Sequence, residues 1–164
     1  MLTFQPVTNP ETIPTLQQLA KEIQIPYFTP MIGEAQITYM LDLFLSTEAI
    51  REQLKKGYQY RLVQLDGELC GYFGICPEGE KLFLSKFYLK ENFRGKGIGR
   101  AMMDEVCRLG EGLQAVYLTV NKQNHGPIAV YQKLGFQIVD SVETDIGNGY
   151  IMDDYIMEKS LELL

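Results

Sequence analysis

Arg94-Gly95-Lys96-Gly97-Ile98-Gly99-Arg100 is the stretch of this 164-residue sequence whose residue types and spacing could do chemistry. Alternating glycines let the backbone adopt conformations barred to other residues, so successive N–H groups can point into one concavity. The stretch lies between an apolar run ending in Phe87-Tyr88-Leu89 and a helical pattern that begins near Gly97. The positive end of a helix dipole is thereby added to the full charges of Arg94, Lys96 and Arg100. Such a turn suits a phosphate or pyrophosphate. The bland alternative is a glycine-rich strand-to-helix turn with solvated basic residues.

Exclusion narrows the ligand. No G-x-x-x-x-G-K-[ST] string exists, and the glycines are spaced G-x-G-x-G rather than G-x-G-x-x-G. The region from Leu113 to Thr119 also offers no acidic group for a ribose. Nucleoside triphosphate and dinucleotide readings therefore fall. Cys70, Cys76 and Cys107 cannot all pair within the chain, and with His125 as the sole histidine no four-ligand zinc pattern can be drawn. Buried or half-buried free thiols are expected, and no metal. A thiol nucleophile assisted by His125 ranks lower, because a histidine beside Gly126-Pro127 reads as a loop residue.

The hydrophobic periodicity shows which elements must position the turn. Residues 2–8 read as a first strand. Asn9-Pro10 reads as the cap and first residue of a helix running to Pro26, with Ile13, Leu16, Leu19, Ala20 and Ile23 at helical spacing. A second helix follows Gly33 through Ile37, Met40, Leu41 and Phe44, and Ser46 or Thr47 caps a third that ends before Gly57. Strands are expected at 58–65 and 68–76 around Asp66-Gly67, and an apolar run at 82–89 follows another turn. A helix then spans about 97–109, followed by a strand at 115–120, a helix at 126–134 and strands at 135–144 and 149–159. This order predicts an α/β (α+β) fold in one domain, residues 1–164, with a mixed sheet and helices on both faces.

The chain carries 15 Lys+Arg against 21 Asp+Glu, a net charge of −6, with 46% hydrophobic residues. That composition belongs to a globular protein and argues against disorder, and the acidic balance argues against a general nucleic-acid binder. No apolar stretch approaches bilayer-spanning length and the first residues lack a signal-peptide pattern, so a soluble cytoplasmic protein without a membrane partner is expected.

The glycine turn also carries a resemblance. Arg94 to Gly99 matches the Q/R-x-x-G-x-G/A signature of the GNAT superfamily of N-acetyltransferases, at the expected distance from Phe87-Tyr88-Leu89. Asn124, Tyr131 and Gly135-Phe136 fall at the spacing of that family's N-x-x-A-x-x-x-Y-x-x-x-G-F stretch, with Pro127 standing where alanine is common. The resemblance spans residues 58–159 and implies a mostly antiparallel, twisted sheet of about seven strands.

It also implies a reaction, the attack of a neutral amine on the thioester of acetyl-CoA without a covalent enzyme intermediate. The turn (Arg94, Gly95, Lys96, Gly97, Ile98, Gly99, Arg100) would hold the pyrophosphate. The preceding strand would splay from its neighbour, so that Phe87, Tyr88 and Leu89 offer main chain to the pantetheine amides. Asn124 would bond the CoA arm, Lys133 would approach the phosphates, and Tyr131 would protonate the leaving thiolate. The strand Leu84-Ser85-Lys86-Phe87-Tyr88 lacks the carboxylate that some relatives use as a base. That role is left to a water held by other residues, Glu34 and Asn121 among them.

On the acceptor side, Ile25-Pro26-Tyr27-Phe28-Thr29-Pro30-Met31 could line a pocket or form a packed corner. Residues 150–159 resemble the final strand of bacterial polyamine-type enzymes. Charge is polarised: residues 81–100 hold six cations against Glu91, while residues 140–164 hold seven carboxylates, Glu162 included, against Lys159. An acidic groove suits a small cationic amine, with Asp153 and Asp154 as acceptor contacts. A protein α-amine or lysine is the alternative acceptor, and a non-catalytic acyl-CoA sensor the alternative class. A homodimer is compatible with either.

Overall fold

The computed structural model describes residues 1–161. In chain order the elements are β1 (Leu2–Pro6), α1 (Ile13–Ile32), α2 (Glu34–Leu45), α3 (Thr47–Lys55), β2 (Gln59–Leu65), β3 (Glu68–Glu78) and β4 (Lys81–Leu89). A short 3-10 turn (Glu91–Phe93) leads to α4 (Ile98–Leu109), then β5 (Ala115–Asn121), α5 (His125–Lys133), β6 (Gln137–Gly147) and β7 (Tyr150–Ser160). The expected order of strands and helices is observed. The strands form a seven-stranded sheet in the order β1-β2-β3-β4-β5-β7-β6. β1/β2, β2/β3, β5/β7 and β6/β7 are antiparallel, and β4/β5 is parallel. Glu162, counted above with the acidic stretch, lies outside the described residues. Among those described, no helix is long and apolar enough to cross a membrane.

Two compact units divide the chain: Met1–Cys76 with Lys86–Met102, and Pro77–Ser85 with Met103–Leu164. In the first, Ile13, Leu16, Leu19, Ala20 and Ile23 of α1, Ile37 and Leu41 of α2 and Ile50 of α3 close a core with Tyr60, Leu62 and Tyr72 of β2 and β3. The Tyr72 hydroxyl donates to the buried Gln24 side chain, so the polar atoms of that core are matched. In the second, Leu82, Val106, Val116, Leu118, Phe136 and Met157 are buried.

The first helix departs from expectation at both ends. Asn9 does not cap it: its Oδ1 accepts from Arg51 Nε at 3.1 Å. Thr12 is the cap instead, tied back by a bond from Thr8 N to its Oγ1 at 2.7 Å. The helix also continues past Pro26 and Pro30 to Ile32. Each proline removes one i to i−4 bond, from the carbonyls of Glu22 and Pro26. Phe28, only 8% exposed in the core, anchors the turn between them, and burial of that order offsets the lost bonds. Ser46 caps α3 as expected, its Oγ accepting from Ala49 N at 3.1 Å.

Candidate active site

The glycine turn sits at the N-terminus of the 12-residue α4, whose first helical bond runs from Ala101 N to Gly97 O at 3.2 Å. Gly95 and Gly97 have φ of 76° and 80°, the left-handed region that glycine adopts without strain. A Cβ on Gly95, Gly97 or Gly99 would meet no atom within 4 Å, so open space lies in front of all three. Ile98 is 5% exposed, so its side chain serves packing.

Arg94, Lys96 and Arg100 are exposed, and none forms an ion pair with a described carboxylate. Arg94 lies 5.5 Å from the ring centroid of Tyr27 and Lys96 lies 5.6 Å from that of Phe93, contacts that leave the charges available. Free N–H groups, a helix dipole and unpaired cations around open space fit a pyrophosphate.

Phe87, Tyr88 and Leu89 close β4 in the same unit. The Tyr88 ring packs against Tyr72 at 5.6 Å and Phe28 at 6.2 Å. Gly71 of β3, which sequence reasoning passed over, sets the level of this strand end: a Cβ there would stand 2.4 Å from Tyr88 O and 3.2 Å from Leu89 Cα. An isolated glycine inside a strand pattern is the signal that could have marked it. At the other end of β4, the parallel ladder to β5 runs over Lys81↔Ala115, Leu82↔Val116 and Phe83↔Tyr117. Lys86, also passed over, is half-buried, 5.6 Å from the Phe44 ring centroid, and burial lowers its ammonium to about 8.

The apolar run of α1 answers to both of its readings. Phe28 is core, whereas Pro26 and Tyr27 join Glu22, Lys90, Asn92 and Arg94 around a cleft of about 530 Å³. Within it Lys90 pairs with Glu22 at 3.7 Å. Burial pushes the Tyr27 hydroxyl up, against the opposing pull of Arg94.

Asn124, Tyr131 and Lys133 lie in the second unit. Asn124, 6% exposed, stands at the cap position of α5, with its N–H bonded to Asn121 O at 2.9 Å and its carbonyl accepting from Ile128 N at 3.1 Å. Pro127 is the third residue of α5, where its missing N–H has no helical partner to lose, so the departure from the family pattern leaves the helix intact. The Tyr131 ring is half-buried against Phe136 at 5.6 Å. Lys133 is exposed in the last turn.

The two acidic residues of β7 part company. Asp153 is half-exposed and pairs with Lys122 Nζ at 2.9 Å. Asp154 is only 5% exposed and lies across from Asn121 of β5 and Val142 of β6. Burial first, then the charge of Asp153, pushes its carboxyl up to about 6, with Lys122 pulling the other way.

None of the three cysteines is in a disulfide: Cys70 and Cys76 are buried and Cys107 is half-buried. Burial raises the Cys70 and Cys107 thiols, which leaves both poor nucleophiles near neutrality.

A model of the acetyltransferase (GNAT) family matches residues 18–136. The spermine/spermidine N(1)-acetyltransferase of Bacillus subtilis (strain 168) is 29% identical over 119 residues, covering 65% of this chain and 76% of that protein. Among solved structures, the PaiA N-acetyltransferase of Thermoplasma acidophilum in complex with coenzyme A superposes with a TM-score of 0.80 at 24% identity, over 98% of this chain and 99% of that one. The ribosomal-protein-S18-alanine N-acetyltransferase of Escherichia coli gives 0.73 at 15% identity, over 100% and 96%.

Proposed function

The chain belongs to the acetyltransferase (GNAT) family, and from that premise we propose that it moves the acetyl group of acetyl-CoA to the primary amine of a small cationic acceptor of the polyamine class. Acetyl-CoA supplies an acyl group activated as a thioester, open to direct attack by a neutral amine. In this reading the main-chain N–H groups from Gly95 to Gly99 cradle the pyrophosphate, and Arg94, Lys96 and Arg100 neutralise it. Phe87, Tyr88 and Leu89 align the pantetheine arm by main-chain bonds, and an N–H of that strand polarises the thioester oxygen. Asn124 and Lys133 bond the CoA arm and its phosphates. Tyr131 holds a phenolic proton for the leaving sulfur. Holding acceptor and thioester together supplies the proximity contribution to the rate.

The observation that carries this reading is the pair Gly95 and Gly97, both with left-handed φ, fronted by open space and flanked by three cations without carboxylate partners. Similarity to a spermine/spermidine acetyltransferase supports the acceptor class. The test is acceptor-dependent release of CoA thiol against spermidine, spermine, peptides with free α-amines or lysines, and aminoglycosides. Release with the polyamines is expected. Tight acetyl-CoA binding with no acceptor-dependent release would identify a sensor module instead, and preference for a peptide would move the acceptor class.

A further inference from the structure

No carboxylate stands on β4, yet an ammonium acceptor must lose a proton before its nitrogen can attack. A base for this step needs three properties: a carboxylate or amine free to take a proton, an oxygen or nitrogen still reachable from outside the fold, and an environment that tunes it towards neutrality. Among the described residues Asp154 combines them.

Its side chain is almost sealed, at 5% exposure, and no described group donates a hydrogen bond to its carboxyl. In these residues every side-chain oxygen fully closed off from solvent has a partner, so the surface left to Asp154 includes its carboxyl oxygens. A carboxylate so nearly enclosed, without internal donors, has its bonding capacity directed outwards. Asn121 stands directly across the ladder, and the chain passes within three residues into the cap of α5, the helix that carries Tyr131. Asp153 cannot share the task, since Lys122 already holds it.

Resting on the acetyltransferase reading above, we propose that Asp154 is the general base that removes a proton from the acceptor's ammonium group. One N–H bond of the ammonium breaks and its proton passes to a carboxylate oxygen. The freed lone pair forms the C–N bond at the thioester carbon. The C–S bond breaks with its electron pair on sulfur, which takes the phenolic proton of Tyr131. The second nitrogen proton, lost as the amide forms, restores Tyr131 through solvent, and the proton on Asp154 is the one released net.

The charged groups around Asp154 in its unit are Asp153 on its own strand, Lys122 in the turn that follows β5, and on β6 Glu143, across from Asp153, and Asp140, across from Ile156. Lys122 and Asp153 offset one another, which leaves burial in control of the carboxyl and places it at about 6. At neutral pH it is therefore ionised and able to accept. Lys86, lowered to about 8, is mostly protonated there and is not.

The experiment compares the wild type with Asp154→Asn and Asp154→Glu, measuring kcat and KM for spermidine against pH, acetyl-CoA affinity and Tm. Asp154→Asn is expected to lose roughly 10²-fold in kcat and the fall in rate on the acid side near pH 6, with acetyl-CoA affinity unchanged. Asp154→Glu is expected to keep that limb and part of the rate. A raised KM with unchanged kcat makes Asp154 a mere anchor for the cation and overturns the proposal. So does loss of acetyl-CoA affinity in both variants, or a limb near pH 8 that disappears in Lys86→Met. Absence of acceptor-dependent turnover in the wild type is a separate outcome, which overturns the acetyltransferase reading itself.

Discussion

Gly71 lies so close beneath Tyr88 that a methyl group added to it would stand 2.4 Å from the Tyr88 carbonyl oxygen. The obstructing atom is backbone, so no side chain can swing aside. Gly71→Ala must push the end of β4 away, at a cost of about 1–3 kcal/mol typical of overpacking. Because Phe87, Tyr88 and Leu89 are proposed to align the pantetheine arm, the displacement should lower acetyl-CoA affinity along with Tm. Calorimetric titration and thermal melts check this, and unchanged affinity in a folded Gly71→Ala protein would detach the β4 end from the cofactor.

Gly97→Ala tests the other half of the proposed cradle. A side chain at φ 80° is strained by about 1–2 kcal/mol, and its methyl would enter space that is open to a ligand. The expected result is a small drop in Tm and a loss of acetyl-CoA affinity of at least tenfold. Equal affinity for wild type and variant would remove the pyrophosphate from this turn.

The cations of the turn act differently from its glycines. Arg94, Lys96 and Arg100 are exposed and make no ion pair with a described carboxylate, so Lys96→Ala and Arg100→Ala should leave Tm within the small range usual for surface changes. Their effect should fall on KM for acetyl-CoA. It should also diminish as salt rises, because exposed charges are screened over about 10 Å at 0.1 M ionic strength. Titration of KM against salt in wild type and variants measures it, and salt-independent effects would count against electrostatic capture.

Much of this arrangement was legible in the sequence, for stated physical reasons. The glycine turn, its cations and the helix that follows are local features, and local residue chemistry determines them. The passage of α1 through Pro26 and Pro30 was not legible, because the loss of two helical bonds is decided by burial of residues such as Phe28 against distant strands. The difference between Asp153 and Asp154 was hidden for a related reason. Neighbours on a strand point to opposite faces, which the sequence does imply. Which face is closed, and that Lys122 takes Asp153, depends on the register of β7 with β5.

Tyr131→Phe isolates the proposed proton donor. The ring packs against Phe136, and phenylalanine keeps that contact while deleting the hydroxyl. Tm should be nearly unchanged, KM values preserved, and kcat reduced by roughly 10²-fold or more as the thiolate leaves without its proton. Unchanged turnover with an unchanged fold would reduce Tyr131 to a packing residue.

Asp154 links the site to stability, and the direction of its effect is opposite to that of an ordinary paired carboxylate. Its carboxyl holds a proton up to about pH 6 when folded, against 3.8 for an aspartate in water. Between those values the folded protein keeps a proton that the unfolded chain has released, so stability falls as pH rises through this window. Above about pH 6 the full cost of a buried ionised group remains, of order 1–3 kcal/mol. Asp154→Asn removes the charge and keeps the shape, so at pH 7 the variant should melt higher than the wild type while losing activity, whereas at pH 4 the two should melt together. Gains of this kind on removing a working group are the expected mark of a site that trades stability for chemistry. Melts at the two pH values decide it: a variant less stable than wild type at pH 7, or one equally stabilised at both, would mean that the carboxylate of Asp154 is not held at a cost.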